Sequence, residues 1–400
     1  MNKNLRSRLI INFFQTIAST AFFPFIAIFL SDKISIYTTG VFLTVTAISN
    51  IPTSIIGGYL IENFSKKKII LIYQSIMGIS LFIMGISLTS FIDNIFIFCS
   101  SFFIFNIAWG LDSPAMNTII LDSVSLIKNE KEESNAFKII YWISNLGMGI
   151  GFFVGSIISQ FNSSITMYIF SLVFLISYIY LKFSFSPEKE NLTSHNSSLK
   201  HFFIGYKKVF QDKKYINIII IYGVIIMSEL SMSSYVSIRL NNDFLPIDIF
   251  GIDITGIKMY SLLMIINTLT VIFMSKIIAN ITINWKNQNV FLIGLIMYMF
   301  GYVNIMYINN FYPLIICMVL AALGEIMYSP IIEQEKYKIT PENKRGTYSG
   351  VSNLSFSIAE ILARFFIIIG TIISSISMAV LLMTILTISI FLIYKTIYTN

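Results

Sequence analysis

Apolar runs long enough to cross a bilayer follow one another along almost the whole of this chain. At about 1.5 Å per residue, roughly 20 apolar residues span the hydrocarbon core as a helix. Every backbone N–H and C=O inside hydrocarbon must bond within the protein, so only helices and closed barrels cross it. A barrel needs short alternating strands, and this sequence offers long unbroken runs instead. Hydrophobic residues make up 56% of the 400 residues and charged residues 12%. The sequence predicts an all-α membrane protein embedded in the lipid bilayer.

Twelve segments have spanning length, roughly 9–31, 38–61, 69–91, 95–125, 138–160, 165–184, 215–238, 257–279, 290–308, 312–334, 347–373 and 376–396. Most connections are short. One is long and rich in Ser, Asn and Lys, which favours an unpacked tether over about 186–212. The expected organisation is therefore a six-helix half over 1–184, a cytoplasmic central loop over 185–214, and a second six-helix half over 215–400.

The distribution of Lys and Arg sets the expected orientation. With the N-terminus inside, cytoplasmic segments hold 23 of the 27 basic residues and outside loops hold three, Lys33, Arg239 and Lys258. Arg364 is left within a span. Both termini are thus expected in the cytoplasm. Lys3, Arg6 and Arg8 precede the first apolar run without a cleavage pattern, so that run reads as a spanning helix. The basic residues are spread over loops, which argues against nucleic-acid binding. Cys99 and Cys317 fall inside apolar runs and make neither a disulfide framework nor a metal site.

A short internal repeat accompanies the halving. Ser113-Pro114 recurs as Ser329-Pro330, and Ser144-Asn145-Leu146 recurs as Ser352-Asn353-Leu354. Two parallel six-helix repeats would place a substrate site near the midplane.

Charges inside the spans are the functional candidates. A carboxylate near the bilayer centre costs a few kcal/mol, and such a residue faces a bundle interior or a wet cavity. Glu325 lies in the middle of the tenth segment and is the main candidate for binding and proton exchange. Asp112 and Asp122 share the fourth segment, about 15 Å apart along the axis. Glu229 in the seventh has no cation close in sequence. Glu360 and Arg364 are spaced i,i+4 in the favourable order and are expected to pair. Trp109, Tyr141, Trp142 and Tyr328 sit beside these positions and form a candidate aromatic wall for cations.

Two glycine patterns bear on packing. Gly147, Gly151 and Gly155 are four apart and line one face of the fifth segment. Between the second and third segments the sequence reads Gly57-Gly-Tyr-Leu-Ile-Glu-Asn-Phe-Ser-Lys-Lys-Lys68. Gly57, Gly58, Glu62, Lys66 and Lys67 resemble the signature loop of the major facilitator superfamily, with Asn63 and Ser65 as departures from it. The glycines of the fifth segment resemble the motif of that superfamily's drug/proton antiporters, with Phe152 in place of its proline.

Val209-Phe-Gln-Asp-Lys-Lys-Tyr215, Leu323-Gly-Glu-Ile-Met-Tyr-Ser-Pro330 and Gly346-Thr-Tyr-Ser-Gly-Val351 are similar to the LmrP-type multidrug/proton antiporters of Gram-positive bacteria. That resemblance implies a twelve-helix major facilitator fold in a bacterial cytoplasmic membrane. It also implies a proton-coupled exporter of amphipathic, often cationic compounds that contributes to antibiotic resistance. Glu62, Asp122 and Glu325 match acidic positions of the group, with Glu62 and Asp122 as gate residues. Ile140 stands where the group has an aspartate. The proton gradient is the only expected cofactor, and a monomer is the expected working form. A dedicated exporter or importer of one metabolite, peptide or lipid is the alternative, and a non-transporting receptor a more distant one. The sequence shows no nucleotide loop, metal-ligand cluster or nucleophile–base motif, so an enzyme is not expected.

Overall fold

The structure is a computed structural model that describes residues 3–125, 130–158, 163–184, 207, 209–249, 251–341 and 345–398. Most of the expected central tether, and the side chains of Glu62, Asp122, Tyr141 and Trp142, lie outside what it describes. Eleven of the described helices or helix pairs are long and apolar enough to cross a membrane, and Ile143–Ile158 is a shorter apolar stretch.

The chain forms two compact units. The first comprises Met1–Phe22 and Ile48–Phe202, the second Phe23–Ala47 and Phe203–Asn400. The first crossing is split between them. Helix α1 (Lys3–Phe22) ends at a 3-10 turn, Phe23–Phe25, and α2 (Ile26–Lys33) continues from it. Pro24 lies in that turn and cannot donate a backbone hydrogen bond, which accounts for the break.

The first unit also contains the later part of α3 (Ile36–Asn63), α4 (Lys66–Ser87), α5 (Ile95–Ser125), α6 (Glu130–Ile158) and α7 (Ser163–Ser184). Here α1 packs on α6, and α4 packs on α5 and α7. Small residues allow these approaches, as is general for helices that have no hydrophobic drive between them. A Cβ on Gly151 would lie 2.7 Å from Thr20 Oγ1 and 2.8 Å from the Ile17 carbonyl. Ser171 and Ser164 of α7 donate to the carbonyls of Gly78 and Gly85 on α4, at 2.7 and 2.6 Å. Ile11, Ile69, Ile70, Ala115, Met116, Ile119 and Leu181 form its apolar core.

The second unit contains α8 (Lys213–Leu230), a 3-10 turn at Ser231–Ser233, and α9 (Tyr235–Asp243). It continues with α10 (Gly256–Thr282), α11 (Asn287–Ile305), α12 (Phe311–Ile339), α13 (Arg345–Gly370) and α14 (Ser375–Tyr398). Its pairings repeat those of the first unit: α8 packs on α13, and α11 packs on α12 and α14. Asp212 caps α8 by accepting from the Tyr215 N–H at 3.1 Å, and its other oxygen accepts from Tyr348 at 3.0 Å. The stretch beginning at Val209 thus anchors the start of α8 to the start of α13.

Two local features depart from the sequence expectation. A short antiparallel hairpin, β1 (Ile247–Ile249) and β2 (Ile252–Ile254), joins α9 to α10. Gly251 supplies the left-handed backbone of its turn at φ 77°, and Asp248 accepts from the Gly251 N–H at 3.0 Å. The helices also overrun their expected ends. The first crossing begins at Leu5, so Arg8 is inside it and buried. Helix α12 runs to Ile339 and buries Lys336, and Arg239 is buried within α9. By sequence all three read as charges of solvated loops or flanks; long apolar stems let such residues be enclosed once their heads find partners.

Candidate functional site

In the second unit two carboxyl groups come within electrostatic reach of one another: Glu229, at the end of α8, and Glu325, on α12. Both are half-buried. Glu325 Oε2 is fully buried and has no hydrogen-bond partner among the described residues. An unpartnered carboxylate oxygen is costly in a low-dielectric interior unless a proton or a cation satisfies it.

Several tyrosines feel the charge of the pair. Tyr298 and Tyr302 of α11 and Tyr328 of α12 are fully buried. Tyr298 lies 4.7 Å from Tyr302 and 5.0 Å from Tyr328, ring centroid to centroid. Tyr222, Tyr298, Tyr302 and Tyr328 are each within electrostatic reach of both carboxyl groups. Tyr328 was expected on the sequence; Tyr222, Tyr298 and Tyr302 were not, because tyrosine in an apolar run resembles ordinary packing.

The break after Glu229 adds to the local charge pattern. Ser228 and Ser231 donate to carbonyls three residues earlier, at 2.6 Å each. Such bonds compete with the helical ladder. The C-terminal end of α8 therefore lies beside Glu229, and helix C-termini carry partial negative charge that favours a cation. Arg364 of α13 donates to the Ser233 carbonyl at 3.1 Å and lies 3.8 Å from Glu360. Arg364 thereby ties the broken segment to α13. Among the described residues, no group of three or more His, Cys, Asp and Glu side chains is arranged to hold a metal ion.

Asp112 belongs to the first unit and to a different kind of site. Gln15 donates to Gln74 at 2.6 Å, and Gln74 donates to Asp112 Oδ2 at 2.7 Å. Arg8 donates to the Met116 carbonyl at 3.3 Å and acts electrostatically on Asp112. All four side chains are buried, and Arg8 Nη1 and Asp112 Oδ1 lack hydrogen-bond partners among the described residues. Trp109, one turn before Asp112, is partly exposed and stacks on Phe105 at 6.1 Å.

The motif glycines act in packing. A Cβ on Gly57 would lie 2.8 Å from the Leu111 carbonyl, so α3 and α5 touch there backbone to backbone. Gly147 brings α6 to within 3.2 Å of the Thr16 side chain by the same measure, and Gly155 is buried on the same helix. Gly58 is half-buried, Glu62 ends α3, and Lys66 and Lys67 open α4. The expected roles of Glu62, Asp122, Tyr141 and Trp142 rest on side chains outside the described residues.

Two bundles of spanning helices with the same internal pairing, and buried charges in each, define a membrane transporter. The chain belongs to the major facilitator superfamily, whose family model matches residues 8–363. It is 22% identical over 377 residues to a Na(+), Li(+), K(+)/H(+) antiporter of Planococcus maritimus, covering 90% of this chain and 88% of that protein. It is 23% identical over 222 residues to an uncharacterized transporter of the same superfamily, YttB of Bacillus subtilis (strain 168), covering 54% of this chain and 52% of that one. Among solved structures, the nucleoside transporter NupG aligns over 99% of this chain and 100% of its own, at a TM-score of 0.76 and 14% identity. A POT family transporter in complex with 5-aminolevulinic acid aligns over 97% of this chain and 95% of its own, at a TM-score of 0.76 and 15% identity. These two likenesses establish the fold.

Proposed function

We propose that this chain is a proton-coupled antiporter that exports amphipathic, often cationic compounds from a bacterial cytoplasm by alternating access, with both termini inside. The observation that carries this reading is the unpartnered, buried Oε2 of Glu325 beside a second carboxyl group and a tyrosine wall. A proton and a cation compete for that site, since each satisfies the same orphaned oxygen. The aromatic faces add cation–π attraction for an organic cation. The protein needs no cofactor beyond the proton gradient and works as a monomer. An inward proton at about 100 mV supplies about 2.3 kcal/mol, enough for about a 40-fold gradient of a neutral cargo exchanged one for one.

A second reading takes an inorganic monovalent cation as cargo. The similarity to the Planococcus maritimus antiporter favours it. Everted vesicles separate the two. With a preformed proton gradient, addition of ethidium, Na⁺, Li⁺ or K⁺ releases protons only for a cargo that is exchanged. Ethidium-driven release supports the first reading and alkali-cation release alone supports the second. If none releases protons, the antiport reading is wrong; if Glu325→Gln keeps the full pH dependence of cation binding and active cation efflux, Glu325 is not the exchange site and Asp112 or Glu229 takes its place.

A further inference from the structure

Lys336 belongs by sequence to a group of solvated loop charges, yet its side chain is 9% exposed, inside the second unit. Its ammonium lies 4.9 Å from the centroid of the Tyr222 ring and donates to Ser352 Oγ at 3.3 Å. It also pairs with Glu333, one turn earlier on α12, whose side chain is 57% exposed. Tyr222 hydrogen-bonds with Ser329 and lies within electrostatic reach of Glu229 and Glu325.

Helix geometry joins these residues into a file. Tyr222 and Glu229 are two turns apart on one face of α8. Glu325 and Lys336 are three turns apart on one face of α12, about 16 Å along the axis, with Ser329 between them. Pro330 lies within α12 between the two charges. It removes the backbone donor that would bond the Ile326 carbonyl, and so marks a point where the helix can bend.

We propose that Lys336 is a gate residue for the carboxylate site: a tethered ammonium on the Tyr222 ring that a cargo cation must displace on its way to Glu229 and Glu325. This rests on the reading of that carboxyl pair as the cation site. Two cations on one ring face repel each other, so ammonium and cargo alternate there. Lysine suits a displaceable role, because its flexible stem and compact charge leave a site more readily than a forked guanidinium. Glu333 pairs with the ammonium while it sits on the ring and braces it there. At about 16 Å Lys336 is too far from Glu325 to neutralise it directly, so it acts on access to the site.

The test measures KM and maximal rate for ethidium, or for K⁺ under the second reading, in everted vesicles. Lys336→Gln removes the competitor, and KM should fall about fivefold or more while the maximal rate is retained; Lys336→Arg should restore a high KM. Glu333→Gln changes an exposed side chain and removes the partner that braces the ammonium on the ring, so the ammonium leaves more readily and KM should fall. This second variant decides the matter if Lys336→Gln does not fold. A loss of rate with unchanged KM in Lys336→Gln marks a structural role and overturns the gate, as does an unchanged KM in Glu333→Gln. Absence of cation efflux in the wild type instead overturns the antiport reading on which the gate rests.

Discussion

Gln74 donates to Asp112 at 2.7 Å while accepting from Gln15 at 2.6 Å, so one carboxamide on α4 links α1 to α5. Gln74→Leu keeps the size of the side chain and removes both links. Each polar group left unpartnered in the interior costs about 1–3 kcal/mol. The variant should therefore melt at a clearly lower temperature in detergent; an unchanged melting temperature would show that the chain of amides contributes nothing to stability.

Arg8 and Asp112 should depend on each other. Removing one leaves the other charge uncompensated inside the first unit, at a cost of about 3–5 kcal/mol when such a pair is fully buried. Arg8→Gln and Asp112→Asn should each lower the yield of folded protein, and the double variant should do better than the sum of the two losses. Strict additivity in the cycle rules the dependence out.

Glu360 and Arg364 should behave differently from that pair. Arg364 also holds the Ser233 carbonyl at the break after Glu229. Arg364→Gln should therefore impair cation-driven proton release more than Glu360→Gln does, with the double variant close to Arg364→Gln alone. Equal effects from the two single variants would show that the carbonyl contact is incidental.

Gly324 and Gly147 make a graded test of helix contact. A Cβ on Gly324 would lie 2.5 Å from both the Gly294 carbonyl and the Tyr298 nitrogen, whereas one on Gly147 would meet the Thr16 side chain at 3.2 Å. Backbone cannot yield as a side chain can. Gly324→Ala should cost at least the about 1–3 kcal/mol of ordinary overpacking, and Gly147→Ala less, read as thermal stability of the purified proteins. The reverse order would mean that α11 and α12 separate more easily than their contact implies.

Hydrophobic run length made the fold legible, because a bilayer leaves few alternatives to a spanning helix. It also located Glu229, Glu325, Glu360 and Arg364, since charge stands out against an apolar background. The same contrast hid other parts of the sites. Gln15 and Gln74 carry no charge, and Tyr298 and Tyr302 look like packing residues until their neighbours are known. Arg8, Arg239 and Lys336 lie close enough to span ends to be counted as solvated, and only tertiary contacts show otherwise. Arg239, for example, binds the Ile305 and Ile308 carbonyls at 2.9 Å each and Asn309 as well. The hairpin at 247–254 escaped notice because its alternation of Ile and Asp is too short to outweigh the helical runs around it.

The seam between α11 and α12 supplies a built-in ruler. Gly301 faces the Cys317 carbonyl and Ala321, and Gly294 faces the Gly324 carbonyl, with main chain nearly against main chain throughout. Such a seam has no slack for sliding, and it ends before Pro330. Spin or fluorescent labels placed on α11 and on α12 ahead of Gly324 should therefore report one constant separation through the transport cycle. That constancy makes them a fiducial pair, against which labels beyond Pro330 can be read for the displacement that accompanies each turnover.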